Sequence, residues 1–237
     1  MSTAIYTSLG RQQGLMQEMQ VVSNNIANSN TTGYKTDRAI FAEFLVSPGQ
    51  SQDSVSMGGL GGHAFRMAQG EMRITGGQFD LAVQGEGFFV LQTDQGPRLS
   101  RAGHFQLSSE STLIDAFGNS VLGAGGNPIT IPPDASQVAI GTDGSISANG
   151  QLVDRVGVVT PQGQLLRDTN TFFSAPEGYA PFEEAIVVQG ALEGSNVSPI
   201  LEVARMIEVQ RAYEAGQAMM EREDDRISQL ITSLRER

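Results

Sequence analysis

The 237 residues carry 15 Lys and Arg against 26 Asp and Glu, a formal net charge of -11 with a pI near 4.6. The chain therefore lacks the excess of cations with which proteins displace counterions from nucleic acid or hold an anionic membrane. It has no cysteine, which removes disulfides, thiolate nucleophiles and Cys-based metal sites from consideration.

Ile5, Leu9, Gln12, Met16, Met19, Ser23 and Ile26 alternate steps of four and three, the spacing of a helix with one apolar stripe. Two of these seven are polar, so the helix, expected from about Thr3 to Ser29, is marginal alone and needs a partner. Asn28, Asn30 and Gly33 tolerate left-handed backbone and are expected to end it. Ala39 to Val46 is apolar and stops at Ser47-Pro48-Gly49. The Ser-, Gln- and Gly-rich run from Gln50 to Gly62 then reads as loop, making residues 36–74 an extended connector.

From Thr75 onward the pattern becomes one of short strands, among them Asp80–Val83, Gly87–Gln92, His104–Leu107, Ile129–Ile131, Val138–Ile140 and Leu152–Thr160. Turns at Asp143-Gly144, Asn149-Gly150 and Pro161-Gln162-Gly163 punctuate them. No helix-length segment intervenes, so residues 75–190 are expected to form an antiparallel all-β, barrel-like module.

Ser195, or Ser198 with Pro199 at the next position, resembles a helix start. Beyond it Met206, Tyr213, Met220, Ile227 and Leu234 recur every seven residues, while of the intervening positions Gln210, Gln217, Asp224 and Ile231 only the last is apolar. A helix from Pro199 to Arg235 would span about 55 Å, longer than a small domain covers. The fold class that follows is mixed α and β: a discontinuous coiled-coil layer of terminal helices, residues 1–35 and 191–237, joined through the connector to the central β module. The sticky stripes of the two helices make assembly the first functional expectation.

Signals for chemistry are weak. Gly85-Glu86-Gly87 begins like a dinucleotide fingerprint, but Val90 stands where the third glycine should be and Phe88-Phe89 continues a strand. His63 and His104 are the two histidines and neither has metal-ligand spacing. No serine sits in a nucleophile elbow, and Glu183-Glu184 would point to opposite faces of a strand. No catalytic, cofactor or metal site is therefore expected. The run Glu221-Arg222-Glu223-Asp224-Asp225-Arg226 reads first as a solvated helix face with internal ion pairs. The first thirty residues show no basic start, apolar core and cleavage site of a secretory signal. No apolar run is long enough to span a bilayer, so membrane insertion is not expected.

Three blocks carry a likeness. The first is Ser23-Asn24-Asn25-Ile26-Ala27-Asn28 with Asn30-Thr31-Thr32-Gly33-Tyr34-Lys35. The second is Asp80-Leu81-Ala82-Val83-Gln84-Gly85-Glu86-Gly87-Phe88-Phe89 with Ser100-Arg101-Ala102-Gly103-His104-Phe105. The third is Glu193-Gly194-Ser195-Asn196-Val197 with Met206-Ile207-Glu208-Val209-Gln210-Arg211-Ala212-Tyr213. Together they resemble the flagellar rod, hook and hook-associated proteins, over nearly the whole chain. The resemblance implies a structural, non-enzymatic subunit of the basal-body rod, with terminal helices in an inner layer around the rod axis and the β module outside. It implies as partners copies of itself, proximal and distal rod subunits and the flagellar type III export apparatus, and a periplasm-spanning location reached without a cleaved signal. Ile5, Leu9, Met16, Met19, Ile26, Asn24, Asn25, Asn28, Met206, Ile207, Tyr213, Met220, Ile227, Ile231 and Leu234 are the expected assembly interface. The rival class is a secreted carbohydrate-binding or carbohydrate-active module on a helical stalk. That reading calls for carboxylates paired across a groove and for Trp or Tyr platforms, against no Trp and four Tyr.

Overall fold

The computed structural model describes the backbone of residues 3–46, 55–135 and 137–235, and within these the side chains other than those of 3–7, 41–46, 55–60 and 230. The chain forms two compact units, each discontinuous in sequence: Met1–Ala27, Thr36–Arg66 and Ser198–Arg237 in one, Asn28–Lys35 and Met67–Val197 in the other.

The first unit holds helix α1 (Thr3–Ala27), helix α2 (Pro199–Arg235) and an antiparallel hairpin of β1 (Asp37–Val46) and β2 (Val55–Phe65). Proline opens α2 because the first turn has no use for its missing N–H, and the Glu202 amide closes that turn onto the Ser198 carbonyl at 3.0 Å. The helices pack antiparallel: Gln12 meets Tyr213, Glu18 meets Arg205 and Asn25 meets Glu202. Val21, Val22 and Val209 are buried. No described helix is long and apolar enough to cross a membrane.

The hairpin corrects the reading of 36–74 as an extended connector. Its glycines lie in a strand after all, with Gly58, Gly59 and Gly62 in register with Glu43, Ala42 and Ile40, because ladder hydrogen bonds need only backbone. Ser47 to Pro48 and Gly49, read as the strand stop, lie outside the described residues.

The second unit is built from β3 (Met72–Ile74), β4 (Leu81–Gln84), β5 (Phe88–Thr93), β6 (Gly96–Ser100), β7 (Gln106–Leu107), β8 (Leu113–Ile114), β9 (Ser120–Val121), β10 (Val138–Ile140), β11 (Ser145–Ala148), β12 (Gln151–Arg155), β13 (Val158–Pro161), β14 (Leu166–Arg167), β15 (Phe172–Ser174), β16 (Tyr179–Pro181), β17 (Ile186–Gln189) and β18 (Ala191–Glu193). All pairings are antiparallel, and β5 is the hub, bonded to β6, β9 and β13. β10-β11-β12, β4-β17 and β3-β18 form three smaller sheets. Among the described residues no sheet closes on itself, so the barrel-like expectation resolves into open antiparallel sheets around one core. Leu81, Phe89, Leu113, Ile129, Ile146 and Phe172 lie in that core, where Phe89 meets Phe105 edge to face at 5.3 Å.

Two strand expectations change. Ile129 to Ile131 is buried core without being a strand; Thr130 and Pro128 make isolated bridges. Leu152 to Thr160 divides into β12 and β13 at Val156-Gly157, where Val156 bridges Gly123. The expected turn at Asn149-Gly150 stands, with φ of 52° and 81°, the left-handed pair a two-residue hairpin loop requires.

Candidate functional site: helical seam and buried charge centre

Along the seam of the first unit the polar residues are the ones that fix register. Gln12 is buried and donates through Nε2 to the Tyr213 carbonyl at 3.0 Å. It sits over Gly216, where an added Cβ would lie 2.3 Å from the amide nitrogen; glycine there makes the notch that receives Gln12. Arg205 reaches Glu18 on the facing helix at 2.5 Å and Glu208 on its own at 3.1 Å, hydrogen bonds that hold its proton more tightly than usual. Gln210, Gln217 and Asp224 are exposed, so the polar row of α2 lies outside its contact with α1.

Asn25 explains one part of the asparagine-rich block. Its Nδ2 donates to the Asp37 carbonyl at 2.8 Å and to Glu202 at 3.2 Å, while its Oδ1 accepts from the Asp37 amide at 3.0 Å. A primary amide matches both backbone groups of one residue, as a neighbouring strand would, and so pins the start of β1 and the first turn of α2 to the end of α1. In the second unit Asn28 accepts from the Thr31 hydroxyl at 3.1 Å. Asn28 and Asn30 do not adopt left-handed backbone; Gly33 does, at φ 71°. The asparagines act through their side chains, and the expected left-handed cap falls to the glycine alone.

The expected interface residues divide by exposure. Leu9, Met16, Asn24, Ile207, Ile231 and Leu234 are exposed; Met19, Ile26, Met206, Tyr213, Met220 and Ile227 are half-buried; Asn25 and Asn28 are buried. The Ile5 side chain lies outside the described residues. Gln12, Glu18, Arg205 and Gly216 belong to the seam but were not among the candidates, and the interruption of the apolar row at Gln12 was the available signal.

A second feature, in the other unit, had no sequence signal beyond its blocks. Glu193 is 0% exposed and holds two cations, the Lys35 Nζ at 2.5 Å and the Arg101 Nη1 at 3.1 Å, themselves 1% and 3% exposed. The Gly70 amide donates to the same carboxylate at 2.9 Å. Lys35 spends another proton on the Ala68 carbonyl at 3.0 Å, and Arg101 caps the Val83 and Gly85 carbonyls at 3.1 and 2.5 Å. Burial draws the proton affinity of Lys35 and of Arg101 below the usual values, with Glu193 opposing the shift in both. Gly33 lies against Arg101 and Ala102 so closely that a Cβ would stand 2.2 Å from the Ala102 nitrogen. Lys35 comes from the first sequence block, Val83, Gly85 and Arg101 from the second, and Glu193 from the third.

A groove of about 650 Å³ in this unit is lined by Asn28, Thr31, His104, Asp115, Phe117 and Phe172 among others. Its carboxylate, Asp115, accepts from the Phe117 and Asn119 amides, and His104 pairs with Asp80 at 2.6 Å. The two groups are thus engaged in holding loops.

Family models match all three regions: "Flagella basal body rod protein" over residues 5–35, "Flagellar hook protein FlgE/F/G D1 domain" over 82–148 and "Flagellar basal body rod FlgEFG protein C-terminal" over 188–233. The flagellar basal-body rod protein FlgF of Caulobacter vibrioides is 38% identical, over 93% of this chain and 93% of its own. The chain belongs to the flagellar basal-body rod protein family. A second relative named FlgF, from Mesorhizobium japonicum, is 33% identical over 93% of this chain and 92% of its own. A rod protein named FlgG, from Bacillus subtilis, is 28% identical over 98% of both chains. Of these three relatives, the two of higher identity are the ones named FlgF. Each of the three matched regions contributes to the Glu193 charge centre, at Lys35, Arg101 or Glu193 itself.

Proposed function

We propose that this protein is a structural subunit of the flagellar basal-body rod, of the proximal F type, that assembles through its terminal helices with copies of itself and with neighbouring rod subunits into the torque-carrying shaft. One observation supports this above the others. The antiparallel pairing of α1 with α2, followed from Gln12–Tyr213 to Thr3, the first described residue of α1, reaches about residue 222, with roughly 18 Å of α2 beyond it. On that overhang Ile227, Ile231 and Leu234 continue the helical face of Val209, Gly216 and Met220, with Ile231 60% and Leu234 75% exposed. A stripe of aliphatic side chains in water calls for a neighbour, and many weak copies of such a contact sum to firm assembly. The family points to delivery by the flagellar type III apparatus without a cleaved signal and to a rod that crosses the periplasm.

The test replaces both exposed aliphatics, Ile231→Asp with Leu234→Asp. Because these side chains are solvated, purified variant and wild type should unfold within about 0.5 kcal/mol of each other, while cells carrying the variant should fail to build rods and to swim. Normal motility would overturn the assembly role of the overhang.

A further inference from the structure

We propose that the Asn28–Lys35 segment is a strap that closes onto the β unit only when Glu193 is in place, so that docking near the start of the chain reports arrival of a strand near its end. Contacts from β18, from the residues just after it and from Arg167 hold the strap. The Gly33 amide donates to the Glu193 carbonyl at 2.8 Å, Lys35 meets the Glu193 carboxylate, and the Asn196 amide donates to the Tyr34 carbonyl at 3.4 Å. Arg167 stacks on the Tyr34 ring at 4.4 Å and donates to the Lys35 carbonyl. Glu193 ends β18, which is fixed by pairing with β3, Glu193 opposite Met72.

The apolar core lies elsewhere. Its main cluster runs from Leu81 to Val187, and the strap's own buried aromatic, Tyr34, lies outside that cluster. The sheets that enclose it can therefore stand while the strap is open. Burial of Tyr34 under Arg167 favours closure, and charge opposes it until Lys35 is paired. Lys35 goes to 1% exposure, and a cation taken out of water without its counter-ion is strongly unfavourable. Arg101, already in the pocket, adds a like charge. Backbone carbonyls such as that of Ala68 accept from Lys35, but among the described residues the anion that pairs with it is Glu193, 158 residues later in the chain. A chain made from its N-terminus must hold the strap open until β18 has paired.

Lys35 is the sole lysine of the chain, so its amine is a built-in reporter. Full-length protein is treated with an acetylating reagent at fixed pH, and Lys35 modification is followed by mass spectrometry alongside amide exchange at β4 and β5. Wild-type Lys35 should react far more slowly than in denaturant. In Glu193→Gln, which keeps shape and removes charge, it should react on the order of 100-fold faster than in wild type while β4 and β5 remain protected. In a second measurement, adding Lys35→Met to Glu193→Gln removes one of the two stranded cations, Arg101 being the other, and should restore part of the lost thermal stability. Unchanged Lys35 reactivity in Glu193→Gln would overturn the strap. So would reactivity that rises only together with exchange of β4 and β5, or global unfolding of that variant, because either makes the segment part of the core.

Discussion

Gly33 shows how a single missing carbon can fix a fold. Its φ of 71° is left-handed, and the space where a Cβ would stand is filled by the backbone of Arg101 and Ala102. Backbone cannot swing aside as a flexible side chain can. Gly33→Ala should therefore cost about 2 kcal/mol or more, combining left-handed strain with a forced shift of the Ala102 chain. Equilibrium urea unfolding measures this directly, and a variant as stable as wild type would show that the close approach relaxes without penalty. Glu193 works in the opposite sense, through what it holds. Its carboxylate accepts from Lys35, Arg101 and the Gly70 amide, and removing one member of such a buried set exposes the desolvation that pairing had offset.

Helix α1 and the β1–β2 hairpin are coupled at Asn25 by hydrogen bonds that an apolar residue could not replace. The asparagine amide is the hydrogen-bonding partner of the Asp37 backbone on both sides and also touches Glu202 of α2. Asn25→Ala leaves the Asp37 amide without that acceptor, at a cost of about 1–3 kcal/mol. Native-state hydrogen exchange should show the Asp37 amide opening at least about tenfold faster, with exchange in β4 and β5 unchanged. Equal protection of Asp37 in the variant would mean that water replaces the side chain. The helix pair itself carries polar instructions of the same kind: Gln12 in the Gly216 notch and Glu18 on Arg205 set register, leaving the aliphatic face near Leu234 uncovered.

Each of the two units takes segments from distant parts of the chain, and the Lys35 centre gives the β unit a pH dependence that can be assigned. Burial lowers the Lys35 pKa below its ordinary 10.5, and Glu193 raises it only in part. Between the lowered value and 10.5 the unfolded chain binds a proton that the folded chain has released, so this group's contribution to stability rises with pH across that window and falls as pH drops through the folded pKa. Stability measured by chemical denaturation from neutral pH to about 10.5 should climb in wild type relative to Lys35→Met, which has no such proton to release. Parallel profiles for the two proteins would remove the assignment.

Local rules in the sequence were enough for the existence of α2, though they left its start open between Ser195 and Ser198, because a proline after a capping serine and a run of periodic apolar residues need no distant partner to declare a helix. They were also enough for the Asn149-Gly150 turn, for the class of alternating strands, and for the family, since the three blocks are contiguous in the chain. They misplaced the glycine-rich stretch before Phe65, whose strand comes from pairing with β1 rather than from side chains that favour a strand. They could not say that Lys35, Arg101 and Glu193 meet, or that Gln12 is buried while Gln210 and Gln217 face water. A charge or an amide looks the same in sequence whether solvated or enclosed; only the packing of segments up to 158 residues apart determines whether water or another side chain satisfies it.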